Sequence, residues 1–503
     1  MNLLIVSVGF LLYYILFRYK RRRLYELASR IPEPPHKFSI FGLLQYTYNA
    51  ENLIIPMIKK FSLFCFNNGG YSRLWLGSKL YVGITHSEDT EYLLKNCLHK
   101  DDVMQLLKPV LGNGAFIAPV PEWSRRRKVL VPAFSPKVLN SFVDIISKRS
   151  QEIVHQISSE NLVGCGQFSI WPYISQYTLR TVTETTLGID LDTTRDQISE
   201  YLHAMSQIFR LATERVLHIW LWPNWLYSLT SQSKDLLKYS DIIYSLTNKI
   251  IQNKYKSLEN YDRRAYNEQT IFGMDKNSEL KSFLDHLIII SGNEGGFALK
   301  DIREDLLVLL LAGTDTSAVA ICNTLKLLAK YPKIQEKVYA ELEEVFGDSD
   351  RLLVKNDLKN IKYLDRVLKE TLRLFPPVPI IVRSVTQETT LPSGVILPEN
   401  AGVIVFIWGA NRDPKVWGPD ADCFDPDRYL KGTTPKIMSF SSGPRNCVGY
   451  QYAMMSIKIS LIAILRHYKV VGEEESGPVP EIDCEFAIMM KAKDGYKVAF
   501  ERR

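Results

Sequence analysis

The chain has 503 residues, 46% of them hydrophobic and 23% charged, which excludes a largely disordered protein and allows a sizeable core. A formal net charge of +7, with basic residues spread along the chain, excludes a dedicated nucleic-acid binder. Seven cysteines, odd in number, far apart and without a CxxC pair, exclude a disulfide framework and a zinc site and place the folded part in a reducing compartment.

The N-terminus reads MNLLIVSVGFLLYYILFRYKRRR. An apolar run from Leu3 to Phe17 is followed by Arg18, Lys20, Arg21, Arg22 and Arg23, and charge on that side alone orients the following chain to the cytoplasm. The run is shorter than the roughly 20 residues a full span prefers. It lacks the positive n-region and small-residue cleavage site of a signal peptide, so residues 1–23 read as an uncleaved membrane anchor with a basic flank. Tyr13, Tyr14 and Tyr19 fall at interfaces and Arg18 snorkels. Ile31-Pro-Glu-Pro-Pro35 makes residues 24–40 a stiff proline-rich linker, and no later linker divides residues 41–503.

Strand signals are short: Ser72 to Val82, Thr390 to Val405 with its Pro-Ser-Gly and Pro-Glu-Asn turns, and the C-terminal residues. Helix-period patterns such as Leu352 to Phe375 and Gln451 to Tyr468 dominate the rest, so the fold is mainly α with a small β part. Trp123 and Arg127 lie four apart and share a helix face, and Ser124-Arg-Arg-Arg-Lys128 is a charge run that also fits an exposed basic face. Lys256 to Lys281 is charged and reads as a surface loop.

Asp305 to Tyr331 is apolar nearly all round, the pattern of a helix buried at the centre of a large protein. Within it lie Ala312, Gly313, Thr314, Asp315 and Thr316, with no basic residue until Lys326. A lone buried carboxylate is costly. Thr316 can return its hydroxyl to the Ala312 carbonyl, and Gly313 weakens the helix at the same turn. Two readings stay open: the helix opens here and leaves a notch for water or a small ligand, or Asp315 faces a solvent gap and the threonines are merely tolerated.

Phe-Ser-Ser-Gly-Pro-Arg-Asn-Cys-Val-Gly, residues 440–449, presents one thiol among an aromatic ring, glycines and a cation just before a predicted helix, whose N-terminus favours a thiolate. A lone thiolate is a poor zinc site but a good axial ligand for a flat cofactor. Gly443 and Gly449 let the backbone approach a planar face, and Arg445 can meet a carboxylate at its rim. The alternative is a free buried cysteine in a Gly/Pro turn.

Phe440, Gly443, Arg445, Cys447 and Gly449 together resemble the haem-binding loop of the cytochrome P-450 family. Glu370-Thr-Leu-Arg373, otherwise an ordinary i,i+3 pair, is similar to the family's Glu-x-x-Arg helix, and Phe424-Asp-Pro-Asp-Arg428-Tyr429 to the later loop whose arginine completes a buried Glu/Arg/Arg triad. Arg383 matches a propionate-binding position, and Trp123 and Arg127 match the Trp-x-x-x-Arg helix that faces a haem propionate. The resemblance covers about residues 30–500, is nearest to the microsomal fatty-acid hydroxylase branch, and gives no motif in residues 140–300. Ala312 stands where many members of that branch carry a glutamate that esterifies the haem, so no covalent link is implied. Asn411 replaces a common histidine and Tyr429 a common phenylalanine, neither a threat to the fold.

The resemblance implies the P-450 fold, with haem b between the central helix and the cysteine loop and Cys447 as axial ligand. It implies a monooxygenase in which Asp315 and Thr316 deliver protons. No P-loop or dinucleotide fingerprint is present, so electrons come from a separate protein; the resemblance implies that this is the membrane-bound NADPH-dependent reductase, with cytochrome b5 as a second donor, docking near Arg125, Arg126 and Lys128. The implied location is the endoplasmic reticulum membrane, catalytic domain on the cytoplasmic side. A haem-thiolate isomerase or dehydratase would not need the Asp315-Thr316 pair, and a non-catalytic membrane-anchored ligand sensor would be favoured by its loss. Gln105 to Phe116 and Val378 to Val382 are apolar enough to wall a pocket for a small hydrophobic substrate.

Overall fold

The computed structural model describes residues 2–35, 50–191, 195–257, 282–290, 298–430 and 435–503. Most of the stretch 256–281, read as a charged loop, lies outside the described residues, as do residues 36–40 of the expected linker.

The first helix, Asn2–Lys20, spans about 28 Å at the α-helical rise, close to the thickness of a bilayer's hydrocarbon layer. Val6, Val8, Leu11, Leu12, Ile15 and Leu16 are all exposed on it, and Arg18 lies over the Tyr25 ring at 3.9 Å. Where the sequence places a basic flank and a linker, a second helix, Arg22–Ser29, is docked on the body of the protein. Leu24, Leu27 and Ala28, at i, i+3 and i+4, form its buried stripe. Tyr25 stacks on Trp75, Arg23 pairs with Glu388 at 2.9 Å, and Arg73 binds both the Pro32 carbonyl through its N–H and the Glu33 carboxylate at 2.6 Å. Residues 22–33 are therefore a splint on the sheet; the prolines stiffen only its end.

That sheet has four strands in the order Tyr71–Leu76, Lys79–Ile84, Gly402–Phe406, Ile380–Ser384. The first two pair as a hairpin, the middle two run parallel, and the last pair is antiparallel with Arg383 opposite Val403. Gly402 is required where it stands, because a side chain there would collide with the Tyr81 ring. A short pair, Thr389–Thr390 with Ile396–Leu397, a two-stranded terminal hairpin, Cys484–Ala487 with Met489–Ala492, and a small sheet containing Lys497–Arg502 complete the β part among the described residues.

The remainder is helical and surrounds Leu299–Lys330. This helix is long and apolar enough to cross a membrane, yet 78% of its most apolar window is buried within the protein, so it is the core helix that its all-round hydrophobicity predicts. Packed against it are Trp171–Val182, Tyr363–Leu374 and Tyr450–His467, the last of which also packs on Pro136–Ser159. The expected helix from Leu352 to Phe375 is shorter, Tyr363–Leu374: Asp357 accepts from the Val354 N–H and pairs with Arg351 at 2.7 Å, which holds the preceding segment in turns.

Candidate active site

The cysteine loop is tied at both ends. A short turn, Met438–Phe440, runs into Ser441 and Gly443, both at positive φ, and the Cys447 N–H returns to the Phe440 carbonyl at 3.0 Å. The Phe440 ring meets Tyr450 edge-on, and Tyr450–His467 starts directly after Gly449. Gly443 serves the turn and the packing, since a Cβ there would collide with the Leu94 carbonyl. Gly449 is different: only the Phe134 ring, at 4.0 Å, approaches its Cβ position.

Cys447 is exposed, and its thiol is nevertheless pushed up by burial, with the Gly449 N–H and the Arg127 charge opposing that shift only in part. The Gly449 N–H at the helix start acts in the direction the sequence expects, towards the thiolate, while desolvation is the larger effect. A metal ion at the sulfur reverses that balance outright.

Three cations converge nearby: Lys100, Arg383 and Arg445. Burial holds Arg383 and Arg445 down to about 10, with repulsion from Arg383 adding to the effect on Arg445, and burial with repulsion from both arginines holds Lys100 well below the usual range. Among the described residues none of the three has a carboxylate in ion-pair distance, and Arg383 Nε and Arg445 Nε and Nη1 are buried without a hydrogen-bond partner. Arg445 lies 4.5 Å over the Trp123 ring and donates to the Ala118 carbonyl at 2.8 Å. Cations so placed lack an anion, and the carboxylates at the edge of a haem beside a free thiol fit that donor set. Lys100 went unnoticed in the sequence, where Asp101 and Asp102 beside it look like its partners; in the fold both pair with Lys79, at 2.8 and 3.1 Å.

Trp123 lies beside Arg445, whereas Arg127 donates to the Asn446 carbonyl at 2.8 Å and to its side-chain oxygen at 2.6 Å, bracing the loop from the outside. Arg126, which the sequence assigns to solvent or a partner, is fully buried. Its guanidinium meets Glu122, Asp301, Glu304 and Asp305 at 2.8–3.0 Å. Asp305 also accepts from the Ala115 N–H at 2.9 Å, so the network joins the Trp123 helix, the central helix and the segment 112–117.

In the central helix Thr316 does return its hydroxyl to the Ala312 carbonyl, at 2.7 Å, and the helix stays continuous, without the opening that one of the two readings required. Gly313 instead receives the Val182 methyls, which would lie 3.2 Å from a Cβ. Asp315 is neither lone nor solvent-facing: both its oxygens meet Lys491 of the terminal hairpin, at 2.7 and 2.9 Å.

Glu370, Arg373 and Arg428 come together in the buried interior, with Glu370 Oε1 2.7 Å from Arg373 and 3.0 Å from Arg428. Arg373 also donates to the Asn411 carbonyl at 2.8 Å, and the Asn411 side chain accepts from the Met438 N–H and donates to Ser439, both at 2.9 Å. The triad thus reaches the first residues of the cysteine loop through Asn411.

A mainly helical fold, a free thiol at a helix start and unpaired cations beside it define a haem-thiolate protein. The Cytochrome P450 family model matches residues 32–500, so the chain belongs to that family, whose cofactor is haem b with a cysteine thiolate ligand and whose enzymes are oxidoreductases of the monooxygenase type. Cytochrome P450 4V2 of Homo sapiens is 30% identical over 86% of this chain and 82% of its own length. Cytochrome P450 4c3 and Cytochrome P450 4g15 of Drosophila melanogaster are each 28% identical over 98% of this chain, and over 93% and 95% of their own lengths. Enzymes of this family draw on a redox partner and act on hydrophobic substrates.

Proposed function

We propose that the chain is a membrane-anchored monooxygenase that inserts one atom of O2 into a hydrophobic substrate, using NADPH electrons delivered by the separate reductase. The observation that carries this reading is the free Cys447 thiol near three cations, Arg383 and Arg445 buried and Lys100 half-buried, that lack a counter-charge among the described residues. Cys447 is the axial ligand, Lys100, Arg383 and Arg445 hold the haem's acidic edge with Trp123 packed behind Arg445, and Arg127 fixes the loop through Asn446. Phe440 and Gly449 shape the loop, and Glu370, Arg373 and Arg428 hold its entry. When bound, the haem supplies the oxidation, and its thiolate favours O–O cleavage. Thr316, part-exposed on the central helix, presents a hydroxyl that orients water, and Asp315 is the acid that keeps protons supplied to it.

Asn2–Lys20 is the anchor, with Val6, Val8 and Leu11 to Leu16 exposed on it, and residues 41–503 are the catalytic domain on the cytoplasmic side of the endoplasmic reticulum membrane. The acidic face of the reductase, and cytochrome b5 in turn, meet the exposed Arg125 and Lys128. The test is turnover of a panel holding a medium-chain fatty acid, a terpenoid and a steroid, with NADPH, reductase and heavy-isotope O2. One labelled oxygen per product supports the reading; NADPH-independent rearrangement, or no product across the panel from haem-loaded protein, contradicts it. Thr316→Ala is expected to keep the haem spectrum while diverting electrons into peroxide, and unchanged coupling would remove Thr316 from that role.

A further inference from the structure

Away from the cysteine loop, a cleft of about 250 Å3 lies where the segment 108–113, the helix Ser231–Ser257 and the first turns of the central helix meet. Tyr244 fixes one wall by donating its hydroxyl to the Pro109 and Val110 carbonyls, at 3.0 and 2.7 Å. Three cations, Lys108, Lys300 and Arg303, line the cleft. Lys300 and Arg303 stand three apart on the central helix and so share a face, and the Arg303 guanidinium lies 5.4 Å over the Tyr244 ring. Among the described residues neither Lys108 nor Arg303 has a carboxylate in ion-pair distance, and Arg303 Nε is buried without a hydrogen-bond partner. The lining holds one carboxylate, Glu304, and its charge is engaged elsewhere: it meets Arg126 at 2.9 Å and Lys300 only at 4.0 Å.

A guanidinium with a buried, unsatisfied N–H costs stability that no contact in the fold returns, so the arrangement asks for an anion. We propose that the cleft binds a phosphate group carried on a small molecule, with Arg303, Lys300 and Lys108 as its cations and the Asn113 amide as a further donor. Two free cations and a weakly engaged third match the charge of a phosphate monoester better than that of a single carboxylate. The forked donors of Arg303 suit its oxygens. The cleft is roomier than a bare oxyanion needs, and Val110 and Leu307 offer an apolar wall to whatever carries the phosphate. A bound phosphate ties the segment 108–113 to the central helix, next to the existing tie from Asp305 to the Ala115 N–H. The site uses neither Cys447 nor the cations around it, so it stands apart from the monooxygenase reading.

Calorimetric titration of the haem-loaded full chain tests it, in phosphate-free buffer at fixed ionic strength, with inorganic phosphate and a soluble short-chain phosphatidate as the two probes. Saturable binding of one equivalent is expected, and the tighter probe tells a free phosphate from a lipid-borne one. Arg303→Met and Lys108→Met are each expected to weaken binding by about tenfold or more, the worth of one charge-assisted hydrogen bond. Lys355→Met, at an exposed lysine outside the cleft, is expected to leave it unchanged. Lys108 is exposed, so its variant decides the matter if Arg303→Met does not fold. Backbone amide exchange in residues 110–113 is expected to slow severalfold at saturating probe. Absence of saturable binding for both probes overturns the proposal. So does binding of equal strength in wild type, Arg303→Met and Lys108→Met, which puts the phosphate on another basic surface, and so does unchanged exchange in residues 110–113.

Discussion

Arg126→Met removes the centre of the carboxylate network without changing side-chain length much. Wild-type Arg126 meets four carboxylates, two of which are themselves buried, Glu304 with 5% and Asp305 with 1% side-chain exposure. Glu122 and Asp301, at 28% and 18%, can rehydrate, so the cost falls mainly on the buried two. Breaking a buried pair by removing one partner costs about 3–5 kcal/mol, and the variant is expected in that range near neutral pH. As pH falls the stranded Asp305 carboxyl takes up a proton and the difference from wild type shrinks. Urea unfolding of the haem-loaded protein at several pH values measures both quantities. A loss under about 1 kcal/mol at neutral pH, or one that does not shrink with acid, would refute the view that Arg126 is a buried hub rather than a surface cation.

Asp305→Asn tests the same network from the other side. Burial holds the Asp305 carboxyl up at about 6, outweighing the attraction of Arg126. A raised carboxyl means that the folded state binds the extra proton, so wild-type stability falls as pH rises from about 4 to about 6, by about 3 kcal/mol in all. The asparagine variant keeps an acceptor for the Ala115 N–H and should lose that slope; a slope as steep as wild type would contradict the assignment. Lys100→Met should release haem to an acceptor protein faster than wild type, because one of three cations at its acidic edge is gone, and an unchanged transfer rate would take Lys100 out of the cofactor site.

The site was legible where residues far apart in sequence form a fixed pattern. Glu370, Arg373 and Arg428 could be grouped from the sequence because three spaced motifs occur in order, and the structure brings them within 3.0 Å. The run 125–127 was not, because successive helical residues point about 100° apart. Arg125 is exposed, Arg126 faces the central helix and Arg127 the cysteine loop, while a charge run reads as one surface. Lys491 stands 176 positions from Asp315, and nothing local to either residue announces the pairing. The splint at residues 22–33 was legible in principle from the spacing of Leu24, Leu27 and Ala28, but the flanking arginines and prolines obscured it.

The most direct test of the central claim is the reduced carbon-monoxide difference spectrum of membranes carrying the wild-type chain, alongside Cys447→Ala. The account predicts a strongly red-shifted Soret band in the wild type and its loss in the variant. An unshifted band in well-folded, haem-loaded wild-type protein, or a red-shifted band that survives in Cys447→Ala, would mean that Cys447 does not bind the iron.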